Sequence, residues 1–191
     1  MALTKINSNS YSTLDATKLT GNLPAISGAS LTGISAGITV ADMYSLTGDV
    51  TGDTAPITAW TRVTADSQGT LGGVTFTSGS GNFSFSTTGI YLIQFSGYVT
   101  RTSDDRSCFL RITDADNNTI AENKQAVSVA NDSESFFAQC MLDVTNVSSN
   151  ANIIRFGLAD AGGQGLSGSG KLIGSSTENN TTCSFIRLGD T

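Results

Sequence analysis

Three stretches of the chain hold residue types that could do chemistry. The first is Gly162-Gly-Gln-Gly-Leu-Ser-Gly-Ser-Gly170-Lys171, glycine-rich and closed by a lysine, as a phosphate-cradling loop would be. It departs from the G-x-x-x-x-G-K-[ST] pattern, because Leu172 follows the lysine and no helical pattern comes after it. The second, Asp114-Ala-Asp116-Asn-Asn118-Thr119, opens like a calcium loop. Thr119 occupies the position that needs glycine, and Gln125 the position that needs a bidentate glutamate, so the reading becomes a strand-connecting Asx turn. The third is a set of acids, Asp104, Asp105, Asp132 and Glu134, which by type could pair for glycoside cleavage. A sandwich of this size leaves little room for the long groove of a polysaccharide hydrolase, which makes that function the least favoured.

The chain has no histidine. Ser-His-Asp and Cys-His catalysis and the usual zinc sites therefore go. Cys108, Cys140 and Cys183 are widely separated, each inside a strand-like run, with no C-x-x-C among them. They read as small apolar core residues; the odd count and the lack of an export signal speak against disulfides. The expectation is a protein that is not an enzyme and needs no cofactor or metal.

What remains is a scaffold. Charged residues are 14% of the 191, below the ~25% of ordinary soluble domains, and Gly, Ser, Thr and Asn fill the gap. Those residues favour turns and strand surfaces over helices. The net charge of −6 with no Lys/Arg cluster excludes a nucleic-acid partner. No apolar run approaches ~20 residues, so no membrane insertion is expected. The first ten residues lack the apolar core of a secretory signal, which implies assembly in a cytoplasm.

The centre of the chain is Gly81 to Thr100, GNFSFSTTGIYLIQFSGYVT. From Gly89 on, Tyr91, Ile93, Phe95, Gly97 and Val99 alternate onto one strand face, an apolar row that needs a second sheet against it. Ile90, Leu92 and Tyr98 fall on the other face, which in a lone sandwich meets water. Another copy of the chain is the simplest cover. Further strands are expected over 57–64, 74–77, 82–86, 106–113, 119–128, 134–144, 152–160 and 182–188, with turn clusters between them, as in a sandwich or jelly roll. In 134–144, Phe136, Ala138, Cys140, Leu142 and Val144 share one face and Phe137, Gln139, Met141 and Asp143 the other.

Residues 1 to 55 read differently. They contain no Phe, Trp, Cys or Arg, and a boundary is expected at the composition change near Asp53-Thr-Ala-Pro56, with a head over 56–191. Single aliphatics, Leu14, Leu19, Leu23, Ile26, Leu31 and Ile34, are separated by small polar residues. The phrase Leu-Thr-Gly recurs at Leu19, Leu31 and Leu46. Glycines do not fall every third residue, and no heptad is present, so neither collagen nor coiled coil fits. A thin aliphatic line cannot bury itself. The options are a flexible linker or winding around identical copies, and the regular aliphatics favour the second.

Two resemblances carry these readings further. Residues 19–34, Leu-Thr-Gly-Asn-Leu-Pro-Ala-Ile-Ser-Gly-Ala-Ser-Leu-Thr-Gly-Ile, resemble the stem repeats of bacteriophage tail fibres. That implies a homotrimer attached to other virion proteins through its N-terminal segment, with Leu14, Leu19, Leu23, Ile26, Leu31 and Ile34 as stem contacts. Phe83, Gly89, Tyr91 and Phe95, followed by the Cys-Phe-Leu-Arg-Ile strand and the terminal Ser184-Phe-Ile-Arg-Leu188, resemble the trimeric jelly roll of the complement and tumour-necrosis-factor heads. That implies a trimeric knob with Ile90, Leu92 and Tyr98 facing neighbouring copies. The combined expectation is an all-β, jelly-roll, trimeric phage fibre, located in the virion, whose knob binds a host-surface glycan or protein. Candidate binding loops are 102–106, 114–118, 131–134 and 162–170. A capsid decoration or cement fibre is the alternative.

Overall fold

The structure is a computed structural model and describes residues 37–64, 70–101, 108–125, 132–160 and 170–191. The expected stem contacts, Leu14 through Ile34, lie outside the described residues. The described strands form two packed sheets.

The first sheet is built on β6 (Gly89–Arg101). On one side β9 (Ser133–Val144) pairs with it from Gly89 to Thr100. On the other, β12 (Thr182–Gly189) takes Ile90 to Ser96, and β11 (Gly170–Leu172) takes Val99 to Arg101. Beyond β12 come β1 (Ala41–Leu46) and β3 (Trp60–Arg62); β2 (Val50–Thr51) flanks β11. The second sheet has the order β4-β5-β10-β7-β8: Val74–Thr77, Asn82–Phe85, Ile154–Asp160, Cys108–Asp114 and Thr119–Gln125. Neighbouring strands throughout are antiparallel.

The core lies between the sheets, on the faces that alternation assigns. Tyr91, Ile93, Phe95 and Val99 of β6 meet Ile154, Phe156 and Leu158 of β10, all sealed from solvent. Phe83 sits at the middle of an aromatic cluster. Its ring lies 5.1 Å from Tyr44, 5.2 Å from Phe156 and 5.1 Å from Phe185. Edge-to-face and tilted pairs at such spacings add to the area term. None of the three cysteines forms a disulfide; Cys108 and Cys183 are buried, and burial pushes the Cys140 thiol up to about 11, so it stays neutral.

Strands β4 to β10 and β12 fall on eight of the runs that alternation marks out, and β3 lies inside the 57–64 run. The head takes in more chain than the composition change near residue 55 suggests. The compact unit begins at Ala36, and β1 and β2 are strands of the first sheet. The pattern hides β1 because its inward face carries a carboxylate: Asp42, Tyr44 and Leu46 point to the core. Asp42 accepts from the Val74 N–H at 2.8 Å and from the Thr70 hydroxyl, and pairs with Arg62 at 3.2 Å. Arg62 also donates to Tyr44 Oη and to the Val74 carbonyl, to which Tyr44 Oη itself donates at 2.7 Å. These side chains satisfy the outer edge of β4 where no strand covers it, closing one side of the sandwich. Gly89 carries a φ of 144°, and a Cβ there would stand 2.5 Å from the Gly189 carbonyl oxygen, so the turn into β6 requires glycine.

Candidate functional site

The candidate site is the outer face of the first sheet. Register aligns its side chains in rows across the strands. One row is Met141, Leu92, Ile186 and Ala41. The next is Gln139, Gln94, Ser184 and Met43, in which the Ser184 hydroxyl donates to Gln94 Oε1 at 3.3 Å. The next is Phe137, Ser96, Thr182 and Ser45, and the last Ser135 and Tyr98. Successive rows stand ~7 Å apart, two residues along each strand.

The face therefore has two halves. Near the base, where Val40 leads into β1 and Arg187 donates its backbone N–H to the Val40 carbonyl at 3.0 Å, it is mainly apolar, with one exposed carboxylate, Asp143, opposite Ile90. Met141 is 72% exposed, Leu188 54% and Ile90 36%, with Leu92 and Ile186 half-buried beside them. A β-bulge at the end of β12, between Arg187 and Gly189, accompanies the exposed Leu188. Isolated exposed apolar residues need no explanation, but a contiguous patch marks an interaction surface. Away from the base the face turns to hydroxyls, amides and two aromatics.

Of the expected knob contacts, Ile90 and Leu92 fall together in the apolar half. Tyr98 lies six residues beyond Leu92, ~20 Å along the strand, in the polar half. Met141, Ile186 and Leu188 complete the patch, and they were not singled out from sequence. The alternation of 134–144 put Met141 on one face with Phe137, Gln139 and Asp143 without saying which face is outer; nothing local in the sequence says that β9 lies against β6, so the patch could not be assembled.

The candidate loops divide between the two ends. Residues 115–118 join β7 to β8 at the base, since Asp114 pairs with Ile154 and Gly89 with Val144 at that end. The described flanks of the others lie at the far end, where Arg101 pairs with Gly170, Thr100 with Ser133, and Cys108 with both Asp160 and Gln125. Residues 102–106, Asn131 and 162–169 themselves lie outside the described residues.

The 114–118 segment is an Asx turn, as its residue types predict. The Asp114 carboxylate accepts from the Asp116 and Asn118 N–H groups at 2.9 and 2.8 Å and from the Asn118 amide at 2.8 Å. Asn117 takes a φ of 68°, and Arg155 donates to the Ala115 carbonyl at 2.9 Å. Burial pushes the Asp114 carboxyl up, but the bonds from Asn118 and Asp116 and the charge of Arg155 outweigh it, so the pKa is lowered. A depressed carboxyl stabilises the fold above its unfolded pKa, and that contribution is lost as pH falls through the folded value. Asp114→Ala is expected to cost about 1–3 kcal/mol at neutral pH by orphaning those N–H groups. The loss relative to the parent should shrink in acid, which thermal melts at pH 7 and pH 3 would read; an equal loss at both would contradict the assignment.

No protein-family model matches the chain, and no curated protein matches it. Solved structures do. The fold resembles the Eiger TNF of S. frugiperda at a TM-score of 0.56 and 18% identity, over 82% of this chain and 96% of that one. It also resembles murine APRIL at a TM-score of 0.53 and 12% identity, over 78% and 98%. The PRD1 vertex protein P5 aligns at a TM-score of 0.47 and 15% identity, over 81% and 100%, a score too low to carry weight. The fold is a TNF-like jelly roll. At these identities the likeness extends to the fold alone.

Proposed function

We propose that the chain is a structural protein of a phage virion: a homotrimer with an N-terminal stem and a jelly-roll knob, not an enzyme. The N-terminal segment joins other virion proteins, and the knob binds a host-surface glycan or protein. The observation that carries the reading is the row of Met141, Leu92 and Ile186, with Ile90 and Leu188 beside it, on the outside of a TNF-like sandwich. A single copy leaves that surface wet. The TNF-like fold supports a threefold solution, and so does the stem phrasing of residues 19–34, which asks for the same number of copies.

The three copies act through avidity. Weak sites on linked knobs bind as a unit when their spacing matches the target surface. A virion role is tested by imaging particles labelled with an antibody raised against residues 37–191. Label at the tail supports the fibre, label spread over the capsid the decoration alternative, and unlabelled particles from a lysate that contains the protein would contradict a virion role.

A further inference from the structure

β1 is the first strand of the head, and it is not an edge strand. It lies between β12 and β3 in the first sheet, antiparallel to both. We infer that β1 is the mechanical anchor of the head: tension between the N-terminal segment and the far end is carried by shearing β1 against both neighbours at once. The inference rests on the reading above, in which the N-terminal segment joins the virion and the knob holds the host.

Backbone bonds fasten β1 from both sides. Toward β12, the Val40 carbonyl accepts from the Arg187 N–H at 3.0 Å, and the Leu46 N–H donates to the Thr181 carbonyl at 2.9 Å. Between them the register runs unbroken from Ala41–Ile186 to Ser45–Thr182. On the other side the Ala41 carbonyl accepts from the Leu71 N–H, the Met43 carbonyl accepts from the Val63 N–H, and the Thr47 N–H donates to the Ala59 carbonyl, each at 2.9 Å. Two buried side chains then tie β1 to the second sheet. The Asp42 carboxylate accepts from the Val74 N–H at 2.8 Å, and the Tyr44 hydroxyl donates to the Val74 carbonyl at 2.7 Å. At the entry point the Arg187 guanidinium donates to the Thr88 carbonyl at 2.9 Å and to the Thr39 hydroxyl at 3.3 Å. Load on β1 passes onward, because β12 is laddered to β6 and β6 to β9.

Direction decides how such bonds resist tension. In an antiparallel pair they lie perpendicular to the strands. A pull along β1 loads all of them sideways together, and none can break without the rest shifting. A pull that parts β1 from β12 at one end opens them one after another. The fold offers both directions on the same ladder. The chain enters the head at the base, and β12 ends there, with Arg187 beside Val40. The 175–181 turn before β12 lies at the other end of β1, where the Ser175 N–H donates to the Leu46 carbonyl at 2.9 Å. Pulling the N-terminus against the C-terminus therefore unzips the β1–β12 ladder from Val40, whereas pulling it against the turn shears that ladder. Tension between a virion at the base and a host at the far end takes the second direction. An edge strand in the place of β1 would be held from one side only.

Single-molecule force spectroscopy on the full chain tests the anchor. One handle is fixed at the N-terminus. The other is fixed either at the C-terminus or, through Glu178→Cys, on the exposed turn. The native thiols compete little, since Cys108 and Cys183 are buried and Cys140 is half-buried. Thr177→Cys, also exposed, repeats the measurement where Glu178→Cys folds or couples poorly. At one loading rate the pull against the turn should need a severalfold higher rupture force than the pull between the termini. Forced unfolding reads the barrier and not the equilibrium stability, so one protein gives two forces. Tyr44→Phe, which keeps the ring and removes the bond to Val74, should lower the shear force and leave the first opening event between the termini unchanged. Equal forces in the two directions, or the higher force between the termini, would overturn the anchor. A shear force indifferent to Tyr44→Phe would overturn the tie to the second sheet. The protein is pure in this measurement, so equal forces would defeat the anchor without touching the virion role, and unlabelled virions would defeat that role without altering the forces.

Discussion

Met141→Asp should turn the trimer into monomers at micromolar concentration while leaving each knob folded. Met141 is 72% exposed in the single chain, so the substitution touches little within a copy, and surface changes of that kind stay within about 0.5 kcal/mol. In the proposed trimer the same side chain would be buried against another copy. A carboxylate there loses the ~1.5–3 kcal/mol of apolar burial and adds an uncompensated charge, once per contact. Three contacts multiply the defect. Size-exclusion chromatography with light scattering reads the mass, and circular dichroism checks that the β signal survives. Met141→Leu, which keeps volume and polarity, should leave the trimer intact. A Met141→Asp protein that is still trimeric would remove the apolar half of the face from the interface.

Asp42→Ala should be the most damaging change within one copy. The Asp42 side chain is fully buried, and its loss leaves the Val74 N–H without its acceptor and the Arg62 guanidinium without its counter-charge. Breaking a buried pair costs about 3–5 kcal/mol, and because Arg62 is partly exposed the lower figure applies. For a domain of this size that lowers the melting temperature by roughly 10 °C. The effect should localise: hydrogen exchange should rise first in β4, whose edge Asp42, Tyr44 and Arg62 close. A melting temperature within a degree or two of the parent would mean that the network is dispensable.

These two residues mark what the sequence could and could not reveal. The strands were legible wherever one face is apolar without interruption, as in β6, β9 and β10, because a period of two in such residues fits a half-buried strand and little else. β1 was not, because a buried carboxylate stands where the pattern needs an apolar residue, and the groups that satisfy it, on Arg62, Thr70 and Val74, lie far along the chain. β11 hides behind glycines and is only three residues long. The candidate surface was half legible for the same reason. Ile90 and Leu92 announce an outer apolar face within one strand, but Met141, Ile186 and Leu188 join them only through strand pairing. Tyr98, on the same outer face, stands six residues beyond Leu92 in the polar half, opposite Ser135.

The central claim is that this surface is shared among copies, and the native mass of the full chain tests it most directly. Three copies of the 19.7 kDa chain should fly together at about 59 kDa from dilute, neutral solution. A single species at 19.7 kDa, with the β spectrum of the folded knob, would contradict it.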